Sequence, residues 1–458
     1  TLIDTARAIE GMPRHASTHA AGVVITKRPV YEYVPLARNE DSIVCQYTMV
    51  TLEELGLLKM DFLGLRNLPA DKHFDLLKIP MDDPEVFSML TQGKTSGVFQ
   101  MESTGMTSVC LGLKPQSIED ITAIIALYRP GPMESIPRFI ACKQDPSLIT
   151  YKHPALKPIL SVTYGCIVYQ EQVIQIFQQL GGYSLGQADM VRRAISKKKA
   201  KEIQKERHSF VHGDPERGIR GCIAGGIPET TAEAIYDEIY DFANYAFNKA
   251  HAVSYAVVAY QTAYFKCHYT KEYMAALLHN SDKVAEYIAE CRDCGIGVLP
   301  PDINHSFDGF TVEGENIRFG LVAIKNIGRG FIQLLTARRD KDGPFTSFQD
   351  FCQRMDDCTD MNKRAVENLI RSGAFDSLGV KRSQLVQVFE SVMDSVAVSR
   401  RQNLEGQLDI FNMGHSVSAM PQQVRLPDIP EFSSVEKMNM EKLTTGLYLS
   451  GHPMSDYR

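Results

Sequence analysis

The run Leu57-Leu58-Lys59-Met60-Asp61-Phe62-Leu63-Gly64 constrains the fold most, because it sets two charges into an otherwise apolar segment. Side chains alternate along a strand. The pattern therefore predicts a buried strand with Leu58, Met60 and Phe62 on an unbroken apolar face, and Leu57, Lys59, Asp61 and Leu63 on the other. Charge in such a strand is costly unless it is paired or binds a metal. A carboxylate and an ammonium two residues apart suit work on a metal-bound phosphate, the acid holding the ion and the lysine meeting phosphate oxygens. A solvent-facing strand with an ordinary ion pair accounts for the same residues more plainly, since antiparallel sheets often keep one face wet.

The length of 458 residues allows two to four domains, and 44% hydrophobic with 23% charged residues is a globular composition. A formal net charge of −6 means that any nucleic-acid surface is a local basic patch on an acidic background. The ten cysteines are too dispersed for a secreted disulfide scaffold, which points to a reducing cytoplasm. Cys291-Arg292-Asp293-Cys294 has the spacing of half a zinc site, but no second pair follows, and Cys352 and Cys358 lie far along the chain. Two free thiols at a helix end are expected there. No apolar run has membrane-spanning length and the first residues lack the pattern of a signal peptide. The opening at Thr1 and the close at Asp456-Tyr457-Arg458 suggest a piece of a longer protein.

Residues 1–80 mix short apolar strands such as Gly22-Val23-Val24-Ile25 with polar turns, as in part of an α/β sheet. His15 and His19 read as surface or core histidines, with no acid at a ligand spacing. Residues 81–290 read as helical. Ser117 with Asp120 three residues on marks a helix start, Ile121, Ile124, Ile125 and Leu127 follow at helical spacing, and Arg129 ends the run before Pro130. The bend Pro130-Gly131-Pro132 is stiff enough to hold that guanidinium in place. In residues 291–395, Asn326-Ile327-Gly328-Arg329-Gly330-Phe331 opens an apolar helix and Ser372-Gly373-Ala374-Phe375 ends another. Gly328 and Gly330 leave backbone N–H groups at a helix start for a phosphate. Residues 396–458 turn polar, with a linker from Pro421 to Pro430. No internal repeat is visible.

The densest positive run is Arg192, Arg193, Lys197, Lys198, Lys199, Lys201, Lys205 and Arg207, broken by Glu202 and Glu206. It suits salt-sensitive binding of a phosphate backbone, and equally a solvated helix face with Glu–Lys pairing.

Read as phrases, these segments have a shared character. Lys59-Met60-Asp61-Phe62-Leu63-Gly64-Leu65-Arg66 resembles the palm strand of the alpha-subunit family of bacterial DNA polymerase III. Gly97-Val98-Phe99-Gln100-Met101-Glu102-Ser103, Tyr128-Arg129-Pro130-Gly131-Pro132-Met133, Val168-Tyr169-Gln170-Glu171-Gln172-Val173, Ala188-Asp189-Met190-Val191-Arg192-Arg193-Ala194 and Phe247-Asn248-Lys249-Ala250-His251-Ala252 continue it in order, over essentially the full length. The resemblance implies a helix-rich α+β, multidomain fold. Residues 1–80 would be the α/β remainder of a palm, 81–290 mainly α-helical fingers, 291–395 a helix-hairpin-helix region, and 396–458 a clamp-binding motif with a linker toward an OB domain.

It implies transfer of a nucleotidyl group from a dNTP to a primer 3′-hydroxyl with two Mg2+ ions. Asp61 would ligate metal, and Lys59, Arg192, Arg193, Asn248, Lys249 and His251 would bind nucleotide. Arg129, Lys197, Lys198, Lys199, Gly328 and Gly330 would bind DNA, and the palm acid and the cationic fingers would converge on one cleft. Gln407-Leu408-Asp409-Ile410-Phe411 resembles the family's sliding-clamp motif, an apolar cluster in polar surroundings. Implied partners are primer-template DNA, dNTP, the clamp and other replisome subunits, with no membrane and a cytoplasmic, nucleoid-associated setting.

Two departures matter. The closely spaced acid pair of the family's palm has no counterpart here, so these 458 residues alone are not expected to polymerise DNA, and Ala250 stands where serine is common. A non-catalytic DNA- and clamp-binding module and an error-prone paralogue remain alternatives. A metabolic phosphotransferase would carry a Walker-type glycine loop, and none is present.

Overall fold

The computed structural model describes residues 22–39, 42–61, 74–129, 131–196, 200–243, 247–404 and 425–451. The chain divides into two units, Thr1–Arg66 and Asn67–Arg458.

The first unit holds strands β1 (Gly22–Ile25), β2 (Leu36–Asn39) and β3 (Ser42–Cys45), helix α1 (Met49–Glu54) and strand β4 (Leu58–Asp61). β1 and β4 pair antiparallel with Val24 opposite Lys59 and Gly22 opposite Asp61, and β2 and β3 form a second ribbon. The alternation predicted for β4 is present, but with its faces exchanged. Leu58 and Met60 are 57% and 44% exposed, beside exposed Val23 and Ile25 of β1, whereas Lys59 is half-buried. The expectation of a buried apolar face on β4 is therefore corrected. Periodicity distinguishes the two faces of a strand without saying which is covered. Here the covered side lies toward Val24, Leu36, Val44 and Leu52, which share a pocket with Lys59. Phe62 lies outside the described residues.

The second unit is helical and has two cores. Its first helices are α2 (Pro84–Thr91), α3 (Thr104–Leu113), α4 (Ile118–Leu127) and α5 (Ile136–Gln144). Ser117 caps α4 as expected, its Oγ accepting from the Asp120 N–H at 3.3 Å. Such a cap is worth about 1 kcal/mol. From Asp120 to Leu127 every residue of α4 is buried, so this helix crosses the core rather than lying on its surface. Asp120 survives there because Lys143 Nζ, the Gln116 N–H and Tyr164 OH all donate to it, at 2.7, 2.9 and 3.3 Å.

The second core gathers α6 (Gln170–Ile176), α7 (Leu185–Ser196), α8 (Ala200–His212) and α9 (Glu229–Ala243). Phe177 sits at its centre, met edge-on by Tyr183, Phe210 and Tyr236. The chain then returns to the first core through α10 (Lys249–His268). Ala252, Ala256, Ala259 and Ala263 make a buried strip of small residues on α10, which packs against α4. Helices α11 (Thr270–Asn280) and α12 (Val284–Asp293) follow, and strands β5 (Val298–Leu299), β6 (Thr311–Glu313) and β7 (Asn316–Arg318) form a small sheet in the order β5-β7-β6. Cys291 is buried and Cys294 exposed at the end of α12, and none of the ten cysteines is in a disulfide.

The last helices are α13 (Arg329–Asp342), α14 (Phe348–Arg354), α15 (Lys363–Ser372), α16 (Arg382–Leu404) and α17 (Ser434–Thr445). Gly328 is the N-cap of α13, and Gly373 ends α15 with φ +88°. Helix α17 docks on α15. Its buried Glu441 meets the buried Arg382 of α16 at 3.0 Å and also accepts from the Leu449 and Ser450 N–H groups. Among the described residues no helix is long and apolar enough to cross a membrane. His15 and His19 lie outside them.

Candidate functional site

In the first unit, β4 carries Lys59 and, two residues on at its end, Asp61. Lys59 lines a cavity of about 540 Å³ with Val24, Leu36, Val44, Tyr47 and Leu52. The Asp61 side chain lies outside what the structure describes.

In the second unit a cavity of about 570 Å³ opens between the 99–106 segment, the end of α4 and the start of α10. Three rings rise along its α10 side at a spacing of four residues. Phe247 lies 5.3 Å from His251, and His251 4.5 Å from Tyr255, centroid to centroid. Phe99 stacks on Tyr255 at 5.5 Å and 30°. The guanidinium of Arg129 lies 4.1 Å over the Phe247 ring, and its Nε donates to the Ala126 carbonyl at 3.1 Å. Burial draws the Arg129 pKa below its ordinary value, which still leaves an arginine charged at neutral pH. Together these groups offer flat π faces and one oriented cation, a combination suited to a base and a phosphate.

The opposite wall is fixed by long-range bonds. The Phe99 N–H donates to Thr262 Oγ1 at 3.1 Å, and Tyr273 OH donates to the Gly97 carbonyl at 2.8 Å. Gln100 takes φ 61°, uncommon for a residue with a side chain. Glu102 accepts from Lys283 Nζ at 2.6 Å and from Tyr287 OH at 3.0 Å. Burial pushes its carboxyl up, but the bonds and charge of Lys283 and the Tyr287 hydroxyl outweigh this and hold its pKa below the ordinary range. Burial, then the Glu102 charge, pushes Tyr287 up to about 12. Gly105 of α3 leaves the space that the Tyr128 ring fills beside the cavity, and a methyl group there would overlap it.

The start of α10 is consumed by the protein itself. Asn248 Oδ1 accepts from the His251 N–H at 2.8 Å, and both carboxylate oxygens of Glu171 accept from the Lys249 N–H, at 3.1 and 3.0 Å. Lys249 Nζ lies 3.2 Å from Glu119 and 5.4 Å over the Tyr169 ring. Asn248 and Lys249 thus serve first as a cap and an ion-pair partner, while His251 and Arg129 face the cavity.

Arg192 and Arg193 lie on α7, the helix that sends Ala188 and Val191 into the second core. Arg192 donates to Asp189 Oδ1 through Nε at 3.1 Å and through its terminal nitrogen at 2.9 Å, and Arg193 Nε reaches Asp189 Oδ2 at 2.9 Å. Two guanidinium groups share one carboxylate. Burial pushes the Asp189 carboxyl up, yet the bonds and charges of Arg192 and Arg193 leave it below its usual range. Lys197, Lys198 and Lys199 lie outside the described residues. Farther along the positive run, Arg207 pairs with Asp237 and stacks 5.0 Å over Tyr236.

Gly328 and Gly330 open α13, and the Asp360 carboxylate lies against that turn: a methyl group on Gly330 would come 2.7 Å from Asp360 Oδ2. The phosphate approach expected at this helix start thus faces a resident anion. Gln407 to Phe411 lie outside the described residues. Phe99, Glu102 and Glu171 went unassigned in the sequence although they fall within the phrases that carry the resemblance, and no local signal marks Asp360.

Comparison with known proteins bears directly on these regions. Residues 1–64 match the bacterial DNA polymerase III alpha NTPase domain, residues 61–218 the bacterial DNA polymerase III alpha subunit finger domain, and residues 295–385 a helix-hairpin-helix motif. Among curated relatives named DNA polymerase III subunit alpha, that of Thermus aquaticus is 44% identical over 481 aligned residues, with 100% of this chain and 38% of the relative covered. Those of Borreliella burgdorferi and Bacillus subtilis are each 42% identical, covering 100% and 99% of this chain and 40% and 41% of the relatives. The chain spans about two fifths of the length of these relatives. With its finger-domain and helix-hairpin-helix segments in order, and similarity along its whole length, this chain belongs to the bacterial DNA polymerase III alpha-subunit family.

Proposed function

We propose that the chain serves template-directed DNA synthesis, in which a nucleotidyl group passes from a dNTP to a primer 3′-hydroxyl and pyrophosphate leaves. The observation that carries this reading is the cavity at α4 and α10, where stacked rings and Arg129 stand within a family of replicative polymerases. Rings of this kind hold a base by its face whatever its identity, and Arg129 supplies charge for template or nucleotide phosphate. Lys59 meets phosphate oxygens as a point charge. Arg192 and Arg193 grip the triphosphate after exchanging Asp189 for phosphate oxygens, which makes Asp189 a stand-in that keeps both guanidinium groups ordered before the nucleotide arrives.

Asp61 offers the hard oxygen donor that Mg2+ prefers, and Mg2+, when bound, would stabilise charge on the attacking and leaving oxygens. One carboxylate does not position two such ions, so these 458 residues by themselves do not extend a primer. Lys197, Lys198 and Lys199 add sequence-independent affinity for the DNA backbone, with the helix-hairpin-helix region as a second backbone contact. Gln407 to Phe411 engage the sliding clamp as an extended peptide, and other replisome subunits act beside it. The cellular setting is a reducing cytoplasm around the nucleoid.

The test is nucleotide affinity on a dideoxy-terminated primer-template. Replacing Arg192 and Arg193 together with alanine removes charge-assisted bonds worth about 1.5–3 kcal/mol each, so the dissociation constant for the complementary dNTP rises at least ~10-fold. A fall in DNA affinity alone would remove them from the triphosphate. With an unblocked primer and Mg2+, no extension is expected from the 458-residue chain, and measurable extension contradicts the single-acid reading. For the clamp, Phe411→Ala weakens binding by ~10-fold or more in calorimetry, as loss of a central aromatic anchor does. Equal affinity of the variant would mean that the motif plays no part.

A further inference from the structure

Away from the cavity, the end of α10 meets the start of α2. There Glu85, Cys267 and His268 each bring one ligand atom within 4.8 Å of the others. These are an oxygen, a sulfur and a nitrogen donor from two helices that the first core holds together. Behind them, Asp83 Oδ2 lies 2.8 Å from His268 Nε2. Asp83 is itself anchored. Its Oδ1 accepts from the Glu85 N–H at 2.9 Å, and its own N–H donates to Tyr260 OH at 2.9 Å. A carboxylate on one ring nitrogen sets the tautomer and aims the other nitrogen, the arrangement that supports histidine ligands in metal sites.

Glu85 and Cys267 also line an open pocket of about 540 Å³ with Ser88, Gln92, Lys94 and Thr270, which provides a way in and room for a water ligand. Lys94 and Lys266 are the lysines on this pocket. Lys266 Nζ is held by Glu290 at 2.6 Å and by the carbonyls of Lys94 and Ser96.

We propose that Glu85, Cys267 and His268 form a binding site for a soft or borderline divalent cation such as zinc, with Asp83 as the positioning residue for His268. A mixed sulfur, nitrogen and oxygen set selects against magnesium, which takes hard oxygen donors. The site is therefore chemically separate from any ion that the reaction uses. Three protein ligands and a water complete a tetrahedron. Binding displaces the thiol proton to solvent and ties the last turn of α10 to the first turn of α2, the two helices between which the chain passes the cavity wall at 99–102.

Cobalt(II) serves as the probe, titrated into the metal-free 458-residue chain with the thiols reduced. The expected result is a thiolate-to-cobalt charge-transfer band that saturates at one ion per chain and is displaced by zinc. Cys267→Ser abolishes the band. Cys358→Ser, which alters a half-buried thiol that is not on this pocket, leaves it intact. Asp83→Asn retains it with ~10–100-fold weaker affinity. Zinc is also expected to raise the melting temperature of the parent chain, and not that of Cys267→Ser. A band indifferent to Cys267, or absent, overturns the proposal, as does an affinity unchanged by Asp83→Asn for the part assigned to that residue.

Discussion

Helices α10 and α13 both begin where the sequence pointed to phosphate recognition, yet their first turns are built on different plans. The start of α10 is closed: Asn248 takes the His251 N–H and Glu171 takes the Lys249 N–H with both oxygens. The Lys249 and His251 N–H groups are taken inside the protein, and the turn holds in place the side chains on the cavity, His251 and the ring of Phe247 beneath Arg129. The start of α13 has a glycine cap with no side chain to give, and an acid, Asp360, beside it. There the backbone is the surface on offer, and in the proposed DNA-backbone contact the Asp360 carboxylate would compete with an incoming phosphate. A closed helix start orients the side chains beside it, and a glycine start presents its backbone.

The larger effect is expected at α10. Glu171→Gln removes a charged acceptor from a helix N-terminus and should lower stability by about 1–3 kcal/mol, read by denaturant unfolding. It should also weaken nucleotide binding at the neighbouring cavity. Lost stability with unchanged nucleotide affinity would break the comparison, because the closed turn would then be scaffolding alone. A smaller effect of opposite sign is expected at α13. Asp360→Asn removes the competing charge, so duplex DNA should bind ~2–5-fold more tightly at low salt, an advantage that fades as salt screens it. Weaker binding would mean that Asp360 orders the turn rather than opposing the phosphate.

Local signals were legible in the sequence, and partners brought from far along the chain were not. Ser117 with Asp120 placed the start of α4, and Gly373 ends α15, both features decided within a few residues. Ser433 and Glu436 form a capping box that was equally readable and marks α17, which the polar linker before it obscured. Glu171 reaches Lys249 across 78 positions and Glu102 reaches Lys283 across 181. No pattern of spacing encodes such pairs. The burial of β4 failed for a related reason: alternation is a property of the strand, whereas the covered face depends on what packs against it. Arg192 and Arg193 were legible as a pair. Their shared hold on Asp189 was readable too, since positions three and four apart on a helix face one another.

The most direct measurement maps where nucleotide binds. The 458-residue chain, with primer-template DNA and a photoreactive azido-dATP complementary to the next template base, is irradiated and its labelled peptides are identified by mass spectrometry. Label within 99–106 or 247–255, suppressed by unlabelled dATP and reduced by Arg129→Ala, is the predicted result. Label confined to other segments, or unaffected by competing dATP, would contradict the assignment of this cavity to the incoming nucleotide.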